Sequence, residues 1–151
     1  MVGLFFIVDI IFSRTNTRYL DHLGGLTQKS PRLSVYFMIL LLGSVALPLT
    51  NGFVGEFLLL AGVFEYSQWL GAVAGLTIIL AAVYLLRMFQ KAMFGQESSS
   101  SPTEHFKELT TSERAVLIPL TIMVFWIGIY PNTFLKMTEP AVNQLLRFIH
   151  N

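Results

Sequence analysis

The sequence predicts an all-α integral membrane protein, a bundle of transmembrane helices with one of them discontinuous. Three observations carry that expectation. Of the 151 residues, 54% are hydrophobic and only 13% charged, where a soluble domain has about 25% charged residues. Several apolar runs approach the ~20 residues needed to cross a bilayer. The longest, residues 33–64, is interrupted by Pro48, Gly52 and Gly55. The net charge of +1 and the lack of a basic patch with interleaved aromatics give nucleic acid no footing, so the expected surroundings are lipid and other membrane chains. The chain has no cysteine, which excludes disulfides, thiolate metal sites and cysteine-ligated iron–sulfur clusters within it.

Residues 1–12 are apolar but too short to span alone. No basic residue precedes them and no small-residue cleavage site follows, so they do not read as a signal peptide. They read as the last turns of a helix whose beginning is absent, and the chain as a truncated one. Asp9 reads as an interfacial acid near Arg14 rather than a transport group. Residues 13–32 are polar, with Gly24-Gly25 as a turn and His22 as a loop residue. Ser30-Pro31 is a cap followed by proline at the first helical position.

Residues 33–64 hold the expected broken helix, with the break near 48–55. At ~1.5 Å per residue a straight helix of this length would overshoot the ~30 Å hydrocarbon core. Pro48 lacks the N–H that a continuing helix needs, and Gly52 and Gly55 permit a non-helical backbone. Residues 65–69 form a polar turn with interfacial aromatics. Residues 69–94 are the next span, small at one end, with Arg87 and Lys91 on one face near the other. These two cations snorkel to the head groups or act as secondary charges. Residues 96–102 read as a flexible serine-rich loop. The last span is expected at 113–131, with Pro119 in its first turns, where a missing donor costs little. Residues 134–149 carry apolar positions at amphipathic spacing, suited to the membrane surface or a neighbour.

If the segments alternate across the membrane, Arg14, Arg18, Lys29, Arg32, Arg87, Lys91, Lys107 and Arg114 fall on one side and only Lys136 and Arg147 on the other. The positive-inside rule places the larger set in the cytoplasm, or in the matrix or stroma of an organelle.

The candidate functional residue is Glu56, inside the broken run. Backbone groups freed by a break are tolerated in a membrane only against protein or a wet cavity, so Glu56 is expected to face away from lipid. An ionisable group there is a functional-site candidate. Carboxyl groups in weakly hydrated surroundings hold protons harder, and nearby ammonium groups loosen them, so a balance of the two lets a proton load and leave. The competing interpretation is an acid that only locks helix packing.

Pro48 with Gly52-Phe53-Val54-Gly55-Glu56-Phe57 resembles the broken late helix of the antiporter-like, proton-translocating subunits of respiratory complex I. Thr17-Arg18, Gly24-Gly25-Leu26 and Pro31 resemble the preceding loop. Tyr84, Lys91 and Phe94-Gly95 resemble the following helix, and Gly128-Ile129-Tyr130-Pro131 the end of the last. A glutamate at position 56 is typical of chain M, called subunit 4 in mitochondria, where relatives of chains L and N have lysine. The resemblance implies that Glu56 is the terminal proton carrier of a half-channel. It implies no cofactor in this chain, with NADH, FMN, iron–sulfur clusters and quinone serving the whole complex. It also implies chain L-like and chain N-like neighbours, in a bacterial inner membrane or else a mitochondrial one. A cation/proton antiporter or a membrane-bound hydrogenase on the same fold is the alternative. Two positions depart from the family: Leu49, where a glycine is usual, and Arg87, where relatives are aromatic or apolar.

Overall fold

The computed structural model describes residues 1–95 and 106–149, so the serine-rich loop expected at 96–102 lies outside the described residues. Among the described residues the regular structure is helical throughout. The elements are α1 (Val2–Thr15), a 3-10 turn (Leu20–His22), α2 (Leu26–Lys29), α3 (Pro31–Ser44), α4 (Asn51–Tyr66), α5 (Gln68–Phe94), α6 (Thr111–Ile129) and α7 (Asn132–Ile149). Two of them, α5 and α6, are each long and apolar enough to cross a membrane.

The first helix runs past its expected end at residue 12 to Thr15. Ser13 and Thr15 donate their hydroxyls back to the carbonyls of Ile10 and Ile11, at 2.9 and 2.8 Å, so these polar residues do not break it. Asn16 then stops it at φ 52, a conformation that asparagine tolerates. Gly25, at φ 66, turns the chain into α2. The third helix starts at Pro31 as expected. The Ser30 hydroxyl, however, caps nothing; it donates to Glu108 Oε1 at 2.5 Å.

The break covers residues 45–50. Ala46 and Leu49 take positive φ, 58 and 75. The Leu47 N–H donates to the Leu42 carbonyl at 3.1 Å, and the Thr50 N–H to that of Leu47 at 3.1 Å. Pro48 lies in this segment, but Gly52 and Gly55 do not. Both sit in the first turns of α4, which corrects their assignment to the break. The turn is made instead by Ala46, Pro48 and Leu49. Gly52 serves closeness: a Cβ there would lie 2.2 Å from the Gly43 carbonyl oxygen. Gly55 has nothing within 4 Å of that position.

Other boundaries also move. Helices α4 and α5 are separated by Ser67 alone, whose extended backbone (φ −159) makes the corner, so the expected turn at 65–69 is mostly helical. The sixth helix begins earlier than expected because Thr110 caps it, accepting from the Glu113 N–H while the Glu113 carboxylate accepts from the Thr110 N–H. Pro119 is therefore well inside α6, not in its first turns. A proline there removes the bond its N–H would have made one turn back. The tail helix α7 starts directly after Pro131, and its described side chains lie exposed.

The core joins α1, α3, α5 and α6 through Ile7, Leu33, Phe37, Leu41, Phe89, Met93 and Leu117. Phe37 meets Phe89 edge-on with ring centres 5.3 Å apart. By contrast α4 buries no residue. Large apolar side chains such as Trp69, Ile79, Leu80 and Ile122 stand exposed along α5 and α6. That arrangement fits a hydrocarbon surround and not water. The polar ends meet at one end of the bundle. Arg14 bonds Glu113 and the Lys107 carbonyl, Lys91 reaches Asp21, and Ser30 reaches Glu108. This is the end that carries the larger set of basic residues.

Candidate functional site at the helix break

The site lies where one short helix, α3, ends and the next, α4, begins. Neither α3 nor α4 extends along the whole of α5, and between them the chain makes the turn at residues 45–50. Thr50 occupies the N-cap of α4 but directs its hydroxyl to the Leu47 carbonyl at 2.6 Å. The first amides of α4 thus have no side-chain cap, and they carry the partial positive charge of a helix start. Glu56 lies five residues into α4, half-buried, beyond the first turn where that field is strongest.

Two cavities flank Glu56. The first, about 410 Å³, lies between the start of α1, the ends of α3 and α6, and α4. Its polar side chains are Ser44, Asn51 and Glu56; Leu40, Val124 and Ile127 are among its apolar ones. The Ser44 hydroxyl donates to the Leu40 carbonyl at 3.1 Å. The second, about 390 Å³, lies between α4 and the middle of α5, lined by Val45, Leu59, Leu60, Ala74, Thr77, Ile78, Ala81 and Glu56. Glu56 is the one residue common to both linings. Both are partly open grooves wide enough to admit water, and the first is the more polar of the two.

The structure does not bring the expected secondary charges to this acid. Neither Arg87 nor Lys91 lines either of the two cavities beside Glu56. Lys91 is instead exposed and paired with Asp21 at 3.2 Å. Asp9 is exposed on α1, and Arg14, its expected neighbour, engages Glu113. His22 packs its ring beside Tyr19 with centres 5.6 Å apart. Among the described residues no three His, Asp or Glu side chains converge as a metal-ligand set.

Sequence reasoning missed two features. One is Gly128, where a Cβ would come within 2.2 Å of the Leu49 carbonyl oxygen. The other is Thr77, an isolated polar residue in an apolar stretch of α5, exposed and lining the same groove as Glu56. The close approach of α6 to the break could not be read from spacing. The lone threonine was visible, but its place in that groove requires the α4–α5 hairpin.

Comparisons with known proteins bear on this arrangement. The family model described as NADH:quinone oxidoreductase/Mrp antiporter, TM, matches residues 1–81. The chain is 37% identical over 144 residues to the NADH-quinone oxidoreductase subunit M of Rickettsia typhi, covering 95% of this chain and 29% of that protein. It is 32% identical over 145 residues to the NADH-ubiquinone oxidoreductase chain 4 of Marchantia polymorpha, covering 96% of this chain and 29% of that one. A chain of respiratory complex I from Thermus thermophilus with bound NADH superposes with a TM-score of 0.76 at 35% identity, over 86% of this chain and 27% of that chain. The present chain thus spans under a third of the length of these relatives.

Proposed function

Since the chain belongs to the NADH:quinone oxidoreductase/Mrp antiporter transmembrane family, we propose that it forms the C-terminal part of a chain M-type subunit of a proton-translocating NADH:quinone oxidoreductase, with Glu56 as its proton carrier. The observation that carries this reading is the position of Glu56, half-buried beside an intramembrane break and lining cavities on two sides. A carboxyl so placed takes a proton from water on one side, becomes neutral, and gives it up on the other. Asn51 and Ser44 supply polar contacts for water on the loading side.

Redox chemistry belongs to other chains in this proposal. Without cysteine, this chain has no thiolate to hold an iron–sulfur cluster. NADH, FMN, the clusters and quinone act elsewhere in the complex, and the energy they release changes the charge state of buried groups that lead to Glu56. The neighbours are chain L-like and chain N-like membrane subunits, and the membrane is the bacterial inner membrane. The similarity to the Rickettsia and Thermus proteins supports that placement.

The test is Glu56→Gln in the complete protein, within its complex reconstituted in vesicles. The amide keeps the shape and cannot carry the proton. Expected are normal assembly and severely reduced proton pumping. Normal pumping by this variant rules the role out, and loss of assembly assigns Glu56 to packing. A second reading is favoured by the family description itself, which spans Mrp antiporters. Transport that follows a sodium gradient and ignores NADH decides for it.

A further inference from the structure

We propose that the outer face of α1, centred on Asp9, packs against a further spanning helix of the complete subunit, one that presents a lysine or arginine at the level of Asp9. The proposal rests on the chain being part of a longer membrane subunit and not on the role of Glu56. This chain covers 29% of the length of its Rickettsia typhi and Marchantia polymorpha relatives, which leaves chain enough for such a helix. The first helix has two opposed faces. Leu4, Ile7 and Ile11 are buried in the core, while Val2, Phe5, Asp9 and Ser13 recur at helical spacing on the opposite side and stand exposed. Asp9 has no ion pair among the described residues. The two arginines nearest it in the chain are engaged elsewhere, Arg14 with Glu113 and the Lys107 carbonyl, and Arg18 over the Phe12 ring at 4.5 Å from its centre.

The level of Asp9 makes that exposure costly in lipid. Arg14 meets Glu113 at the start of α6, and Gly3 and Leu4 line a cavity with Val124 and Ile127 further along it. Asp9 lies between these levels, alongside the apolar run of α6 that begins after Arg114. A helical side chain leans toward the N-terminus of its own helix. In α1 that direction is away from the polar end of the bundle, so the carboxylate leans deeper, toward Phe5, which is 72% exposed one turn away. Lysine and arginine escape such a position on long apolar stems, and aspartate has none. Acids within spanning segments face protein or a wet cavity and pair there. Between helices a carboxylate needs a cation to offset its lost hydration. None of the described residues supplies one, so the covering helix does. The exposed side chains of Val2 and Phe5 give that helix an apolar surface to pack on.

The test uses the complete complex in its membrane. A photoreactive phenylalanine analogue in place of Phe5 reports what covers the face, and Asp9→Leu, Asp9→Glu and Asp9→Lys report what the acid does there. The expected cross-link stays within the same polypeptide and lands on a helix with a lysine or arginine. Asp9→Leu and Asp9→Lys are expected to lower the yield of assembled complex at least about tenfold, since each leaves the partner's cation buried and uncompensated. Asp9→Glu is expected to assemble like the parent. Changing the partner's cation to aspartate should restore the Asp9→Lys variant. Should Asp9→Lys never assemble, the cross-link and the contrast between Leu and Glu still decide. A cross-link to lipid alone, or Asp9→Leu assembling like the parent, overturns the proposal, because the face then borders hydrocarbon. Capture of a different subunit overturns the assignment to the same polypeptide. A parent complex without NADH–quinone activity strikes the proposed function and leaves this packing result standing.

Discussion

Gly128 of α6 lies against the backbone of Leu49, so close that a Cβ on the glycine would stand 2.2 Å from the Leu49 carbonyl oxygen and 2.6 Å from the Thr50 carbonyl carbon. The last spanning helix therefore props the turn that separates α3 from α4. Gly52 plays the matching part within the break, with a Cβ position 2.2 Å from the Gly43 carbonyl oxygen. Both contacts are to backbone, which cannot step aside as a flexible side chain can. Gly128→Ala and Gly52→Ala should each cost about 1–3 kcal/mol, the usual penalty of overpacking. Gly55→Ala should be neutral or gain about 0.5–1 kcal/mol, because alanine favours helix and nothing lies within 4 Å. Thermal inactivation of the complete complex in detergent reads all three. If Gly55→Ala proves as costly as the others, the packing assigned to this break is wrong.

Leu49 holds φ at 75, in the left-handed region that favours glycine. An L-residue in that region costs roughly 1–2 kcal/mol, which glycine does not incur. Leu49 is also 63% exposed, so its side chain contributes little packing to offset the strain. Leu49→Gly is expected to be no worse than neutral, where most apolar-to-glycine changes destabilise. Leu49→Val should be worse than the parent, since a β-branched residue is poorly accommodated at positive φ. The midpoints of thermal inactivation for the two variants should fall on opposite sides of the parent or leave Leu49→Gly level with it. A large loss in Leu49→Gly would mean that the leucine side chain holds the break through contacts outside this chain.

Much of this architecture is legible in the sequence, because apolar runs and helix breakers act locally. The interruption of residues 33–64, the start of α3 at Pro31 and the tail helix all follow from composition and turn chemistry. The exact residues of the break do not. Glycine is a permissive residue, and only the fold shows that Gly52 is there for space while Ala46 and Leu49 bend the chain. Pro119 misled for a related reason. The start of α6 depends on a reciprocal bond between Thr110 and Glu113, and several nearby residues could have served as the cap. Glu56 was recognisable as an ionisable group in an apolar run. Its place between two cavities was not, since those cavities need α5 and α6 folded against it. The same limit applied to Arg87 and Lys91, whose i, i+4 spacing shows a shared face but not their distance from the acid.

The polar end of the bundle supplies the last prediction. Arg14 Nη2 reaches both carboxylate oxygens of Glu113, at 2.7 and 2.5 Å, and Nη1 donates to the Lys107 carbonyl. This guanidinium also stacks over the Phe106 ring, 5.0 Å from its centre. Both side chains of the pair are mostly shielded, 16% and 20% exposed, while the Lys91–Asp21 pair nearby is 63% and 84% exposed. Shielding decides which pair matters, because exposed pairs contribute only about 0–1 kcal/mol. Glu113 has a second task in capping α6, and glutamine can share that task. Glu113→Gln therefore isolates the charge and should cost about 1–3 kcal/mol. Glu113→Ala removes the cap as well and should cost about 1 kcal/mol more. Lys91→Ala should change stability by less than about 1 kcal/mol. Thermal inactivation of the complete complex ranks the three variants. A loss from Lys91→Ala equal to that from Glu113→Gln would show that Arg14 and Glu113 do not clamp α1 to α6.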